Sequence, residues 1–193
     1  MGKPFMDVKK RDFVLKLHND YRLKMALGHV EAMFGKKQPQ AANMFKLTYD
    51  MKVESSSQKW ANRCVFDHAK NNPYGENLAW DPQRNFTTMF HIWTRNEISS
   101  VRTVNYDSFD WPTVDKQKIA HFTQVVWATT TKLGCGYNIC RKDRWDYGYL
   151  VCRYDPPGNY YDLRIFERGQ PCSQCKKYKG KCASGHFKGL CEE

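Results

Sequence analysis

The chain lacks any apolar run of the ~18 residues that a bilayer-spanning helix requires, so no such helix is expected. Its amino end, MGKPFMDVKKRDF, lacks the apolar centre of a signal peptide, and secretion would require that a leader had already been removed. Internal repeats are absent, and so are the G-x-S-x-G elbow of serine hydrolases and the H-E-x-x-H pair of metalloproteases. Acidic residues are scarce: 20 Asp and Glu stand against 31 Lys and Arg, for a net charge of +11 and a pI near 9.3. Such a surface attracts polyanions, with heparin-like glycans and anionic lipid as the candidate partners; it also serves plain solubility. No recognition motif points to nucleic acid.

What is present argues for a folded core. Aromatic residues make up 15% of the chain, with six Trp, eleven Tyr and eleven Phe, which outweighs a mean hydropathy of -0.75 and excludes disorder. At 193 residues, one main domain with a small appendage is expected. Eight cysteines are an even number, and Cys172, Cys175, Cys182 and Cys191 crowd the tail. Four disulfides in an oxidising compartment are the favoured reading. Buried thiols are one alternative, and a zinc site built on the Cys172/Cys175 pair with Cys182 and Cys191 is another. The triplet Asn85-Phe86-Thr87 is a candidate glycosylation site, which also fits an extracellular address.

Phe13, Leu17, Tyr21 and Met25 recur at intervals of four, which predicts a first helix over about 7–27 with that stripe inward. Val53, Ser57, Trp60 and Cys64 predict a second over about 50–69, ended by Asn71-Asn72-Pro73. A third, over 87–100, carries Phe86, Phe90, Trp93 and Glu97 on one stripe, and a carboxylate there needs a reason. Residues 103–118 read as a long loop, and HFTQVVW as a short helix or strand. GCGYNIC, the turn RKDRWD and YGYLVCRY read as a β-hairpin whose pairing brings Cys135 near Cys152. Gly169-Gln170-Pro171 marks a boundary before the tail. Helices early and strands late imply an α+β sandwich.

Four candidate metal ligands stand out: His68 after the second helix, Glu76 in the turn YGENL, Glu97 on the third helix, and His121 opening HFTQVVW. Two imidazoles and two carboxylates suit a divalent ion such as zinc. No local spacing joins them, and each alone reads equally well as a hydrogen-bonded histidine or a solvated acid.

The segments His18-Asn19-Asp20-Tyr21-Arg22, Gly75-Glu76-Asn77-Leu78, Ala120-His121-Phe122-Thr123-Gln124-Val125-Val126-Trp127 and Tyr149-Leu150-Val151-Cys152-Arg153-Tyr154-Asp155-Pro156-Pro157-Gly158-Asn159-Tyr160 resemble the four signature motifs of the CAP superfamily. That superfamily comprises cysteine-rich secretory proteins, antigen 5 and pathogenesis-related protein 1, and the chain most resembles the venom-allergen-like proteins of parasitic worms. The resemblance implies a three-layer α-β-α sandwich over residues 1–168, followed by a disulfide-bonded hinge-like extension over 169–193. His68, Glu76, Glu97 and His121 match the superfamily's two-His, two-acid tetrad, which holds zinc or magnesium in some members without being obligatory for them. Ala120 departs from the usual Gly.

By the same analogy Cys64 pairs with Cys140, Cys135 with Cys152, Cys172 with Cys182 and Cys175 with Cys191, while Tyr74 and Asp155 replace a third core bridge. The expected function is that of a secreted lipid carrier or effector. Sterol would sit in the loop bearing Tyr106, Phe109 and Trp111, although these aromatics could equally pin that loop to the core; fatty acid would sit between two helices. A host protein or heparin-like glycan bound through the basic tail is the alternative. Metal-dependent hydrolysis ranks last, because Ser99 and Ser100 are the only suggested nucleophiles; no enzyme activity is expected.

Overall fold

Asp7 caps the first helix by accepting from the Lys10 amide, and α1 (Val8–Ala26) follows in the computed structural model, which describes residues 6–193. The first five residues of the amino-terminal stretch read above for a leader, and of the expected 1–168 domain, lie outside that range. The buried face of α1 is Val14, His18, Arg22, Met25 and Ala26, with Asn19 beside it. The predicted stripe is therefore rotated: Met25 is in it, Leu17 and Tyr21 flank it, and Phe13 is exposed. Hydrogen bonding accounts for the rotation. Arg22, fully buried, donates to the carbonyls of Phe45, Val125, Trp127, Ala128 and Thr130, so its charge is dispersed over five dipoles with no carboxylate in contact. Burial still drives its pKa down to about 9.

α2 (Met51–Ala61), capped by Asp50, stops well short of the predicted end. Cys64 has a left-handed backbone (φ 52°) and belongs to the turn after the helix, so only Val53 and Ser57 of the predicted stripe are buried. The sheet orders its strands β1 (Thr48–Tyr49), β3 (Lys132–Lys142), β4 (Trp145–Asp155) and β2 (Gly75–Asp81); β1 runs parallel to β3, and the other neighbours are antiparallel. The hairpin turn shrinks to Asp143 and Arg144, since Arg141, Lys142, Trp145 and Asp146 are paired strand residues. Gly134 and Gly136 let α2 lie directly on β3: a Cβ at either would fall 2.2 and 2.4 Å from α2 backbone atoms.

The other face of the sheet carries α1 and α3 (Phe86–His91), whose side chains pack with Cys135, Tyr137 and Cys152 in the main core. α3 continues through a π-helical segment, Ile92–Asn96, into α4 (Glu97–Ser99). Phe90 and Trp93 are buried as predicted. Within the stretch predicted as loop, α5 (Trp111–Gln117) forms, capped by Asp110 with Pro112 in its first turn; α6 (Ala120–Val125) follows. Helices on both faces of the sheet make the α-β-α sandwich.

The disulfides are Cys64–Cys140, Cys135–Cys152, Cys172–Cys182 and Cys175–Cys191. The tail's zinc alternative is thereby overturned, because all four of its thiols are bonded to one another. The tail, with its short β5 (Lys181–Cys182) and β6 (Cys191–Glu192), is sewn to the body: the Cys191 amide donates to Met44, the Lys46 amide donates to Cys191, and Leu190 sits in the main core.

Candidate functional site

Glu76 is the second residue of β2, not part of a turn, and lies opposite Arg153 of β4 in the ladder. Both side chains are nearly sealed, 4% and 6% exposed. Glu76 Oε2 accepts from Arg153 Nε at 2.9 Å and Nη2 at 2.7 Å, while Oε1 accepts from His68 Nδ1 at 2.9 Å and the Ala69 amide at 3.0 Å. Burial alone would raise this carboxyl, but the donors from His68, Ala69 and Arg153 outweigh it and hold the pKa below the ordinary value.

The second pair stands where α4 meets α6. Glu97 follows the π segment, and its Oε1 accepts from His121 Nδ1 at 2.5 Å while Oε2 accepts from the Phe122 amide at 2.8 Å. Among the described residues no arginine or lysine pairs with it. Burial is the larger influence here, and it lifts the Glu97 pKa above the ordinary value against the His121 and amide bonds. His121 is placed further by a buried polar chain: His18 Nδ1 donates to the Val14 carbonyl, Tyr154 donates to His18 Nε2, and Asn77 Nδ2 donates both to Tyr154 Oη and to the His121 carbonyl. Burial pushes His18 down to about 4, which keeps it neutral and able to accept.

His68, Glu76, Glu97 and His121 all line one cleft of about 590 Å³, with Trp111 and Gln124 among the other walls. They remain two pairs, however. Among the described residues no three His, Cys, Asp or Glu side chains converge as a ligand group. His68 with Glu76 is one pair and His121 with Glu97 the other, and the carboxylate oxygens accept from imidazole, amide and guanidinium donors. Each His donates Nδ1 to a carboxylate and so retains Nε2 as a lone-pair donor, the arrangement in which outer carboxylates orient metal-binding imidazoles. His68 and His121 are the side chains that could hold a divalent cation here, with Glu76 and Glu97 orienting them.

The sterol expectation narrows. Tyr106 and Phe109 are 1% and 0% exposed: Tyr106 stacks on Phe166 and donates to Gln38, and Phe109 packs edge-on against Trp127. They pin the loop to the core, and of the three only Trp111, 46% exposed, reaches the cleft. Ser99 and Ser100 donate to the carbonyls of Arg95 and Glu97 and contact neither histidine, so neither is an activated nucleophile. Asn85 is exposed and caps α3 through Oδ1, which accepts from the Thr87 and Thr88 amides.

A second cavity, also about 590 Å³, opens between α1 and the α3–α4 helix. Leu17, Tyr21, Val30, Phe90 and Ile98 line its apolar part, and the exposed cations Lys24 and Arg95 stand on its walls. The Tyr21 hydroxyl is buried and has no hydrogen-bond partner among the described residues. Sequence reasoning assigned no role to Arg153 or to the Tyr21 hydroxyl, because the first depends on strand register and the second on the packing of two remote helices.

The profile of the cysteine-rich secretory protein family, CAP, matches residues 15–154. A venom allergen 5 of Rhynchium brunneum is 36% identical over 171 residues, covering 83% of this chain and 73% of that protein. The human cysteine-rich secretory protein LCCL domain-containing 2 is 33% identical over 186 residues, covering 89% of this chain and 35% of the relative, so this chain spans about a third of that protein. Among solved structures, that of NaASP2 with Zn2+ superposes with a TM-score of 0.83 at 29% identity, covering 99% of this chain and all of that one.

Proposed function

The chain belongs to the cysteine-rich secretory protein (CAP) family, and from that membership we propose that it is a secreted, non-catalytic carrier of an amphiphilic lipid. The observation that carries the reading is the cavity between α1 and the α3–α4 helix. The apolar part of its lining suits an acyl chain, and Lys24 and Arg95, which stand on its walls beside Asp20 and Glu31, suit the carboxylate of a fatty acid. A flat sterol is the poorer cargo, because Trp111 alone of the loop aromatics is accessible. Four disulfides and relatives from venom and saliva support the extracellular assignment, and no helix among the described residues is long and apolar enough to cross a membrane.

In the central cleft we propose a divalent cation on His68 and His121, supported by the paired imidazoles and by the zinc in the NaASP2 structure.

Mass spectrometry of lipid extracted from protein made in a eukaryotic host identifies the cargo, and displacement of a fluorescent fatty acid measures its binding. Lys24→Glu together with Arg95→Glu is expected to weaken fatty-acid binding roughly tenfold or more, as loss of charge-assisted bonds would. Equal binding by that variant removes the cavity from the account.

A further inference from the structure

α2 covers only part of its face of the sheet. Beyond Ala61, the alternation of β2, β3 and β4 places Trp80, Lys142, Trp145 and Tyr147 on the same side of the sheet's far end. The Cys64–Cys140 disulfide fastens the turn after α2 to β3 there, and that turn presents Phe66. Ring centroids lie 5.2 Å apart for Phe66 and Trp80, and 4.7 Å for Trp80 and Tyr147. The row is not sealed: Phe66 is 52% exposed and Trp145 68%. Neither the cleft nor the lipid cavity includes any of these rings.

Basic groups surround them. Arg141, Lys142 and Arg144 share the hairpin end with Asp143 and Asp146, and Asp146 is already paired with Arg141 at 2.8 Å and lies 3.9 Å from Arg84. Lys142 holds its Nζ over the Trp80 ring, 5.1 Å from the centroid, so a cation stands directly on the aromatic row. We propose that this hairpin end docks on an anionic phospholipid membrane, with Trp145 and Phe66 entering the interface and Lys142 and Arg144 meeting headgroup phosphates.

Two features favour a bilayer over a glycan as the occupant. The exposed apolar side chains include aliphatic ones, Val65 and Ile139, which offer nothing to a stacked sugar ring. In addition, Ile139 alternates to the opposite face of the hairpin from Trp145, and only an interface into which the tip dips would engage both faces. Trp and Tyr beside Lys and Arg are the composition such interfaces select. The disulfide and the two-residue turn hold the rings in place beforehand, which spares the ordering cost of docking.

Vesicle co-sedimentation decides the matter. The full chain is expected to bind vesicles of phosphatidylcholine mixed with phosphatidylserine, weakly to bind pure phosphatidylcholine, and to release with added salt. Phe66→Ala with Trp145→Ala should weaken binding to the mixed vesicles roughly tenfold, and Lys142→Glu with Arg144→Glu should remove the preference for phosphatidylserine. All four side chains are exposed and lie outside the lipid cavity, so fatty-acid binding should stay at its wild-type value, which separates this surface from the carrier reading. Wild-type protein that ignores both vesicles, or variants that bind as well as it does, would overturn the proposal. So would loss of heparin retention in the ring variant with vesicle binding unchanged, which would assign the patch to a glycan.

Discussion

The two histidine–carboxylate pairs share one cleft and one local pattern, imidazole Nδ1 donating to a glutamate that also accepts a backbone amide, yet their surroundings pull them apart. Glu76 has a guanidinium beside it and is held acidic; Glu97 has none and is pushed toward the protonated form by burial. His68 is 60% exposed and His121 31%, whereas Glu76 is 4% and Glu97 12%, so the pair with the guanidinium has the more open imidazole and the more sealed carboxylate. The lesson is that matching residue types do not make matching sites. One pair is a fixed ionic strut between β2 and β4, and the other is a buried acid whose charge depends on its partner.

The largest expected effect tests the strut. Arg153→Met leaves the Glu76 charge buried with reduced compensation and should cost about 3–5 kcal/mol in denaturant unfolding; a loss below about 1 kcal/mol, typical of a surface pair, would abolish the contrast. Next comes the proposed cation. His68→Ala and His121→Ala should each largely abolish zinc binding by calorimetry, and Glu76→Gln or Glu97→Gln should weaken it about 10–100-fold by releasing the rings they orient. Unchanged affinity in both histidine variants would remove zinc from the cleft.

The smallest effect is the most diagnostic, because the two carboxylates predict opposite slopes. Glu76 has a lowered folded pKa, so its stabilisation is present above the unfolded value and fades as pH falls through the folded one. Glu97 has a raised folded pKa, so its contribution is fullest below the unfolded value and is lost as pH rises through the folded one. From neutrality into the carboxylate range, the stability gap between wild type and Glu76→Gln should therefore narrow, whereas the gap to Glu97→Gln should widen. Parallel slopes in chemical denaturation would show that the pairs are electrostatically alike.

The sequence made some of this arrangement legible and concealed the rest. Apolar spacing marked α1 and the buried Phe90 and Trp93, and the β-branched and aromatic residues of GCGYNIC and YGYLVCRY marked the hairpin, because those signals are local. The four cleft residues stood out by resemblance, but their division into two pairs could not, since Arg153 reaches Glu76 only through the β2–β4 register. α2 was read too long because Cys64 kept the helical spacing while its backbone turned left-handed for the disulfide. α5 was missed because Asp110 and Pro112, its start signals, sat among aromatics and acids that resemble a loop. The face of α1 was misplaced because an arginine and a histidine four residues apart look like a solvated surface, and only distant carbonyls make them core.

Arg22 also says something about how the molecule comes together. Its acceptors lie from 23 to 108 residues away along the chain, in two separate stretches. The guanidinium can shed its water without penalty only when both stretches have arrived, so half-assembled arrangements of α1 against either one are disfavoured. The residue thus acts as a proofreader of assembly: it makes docking of the first helix all-or-none and ties the order of the cleft's His121 helix to the completion of the whole sandwich.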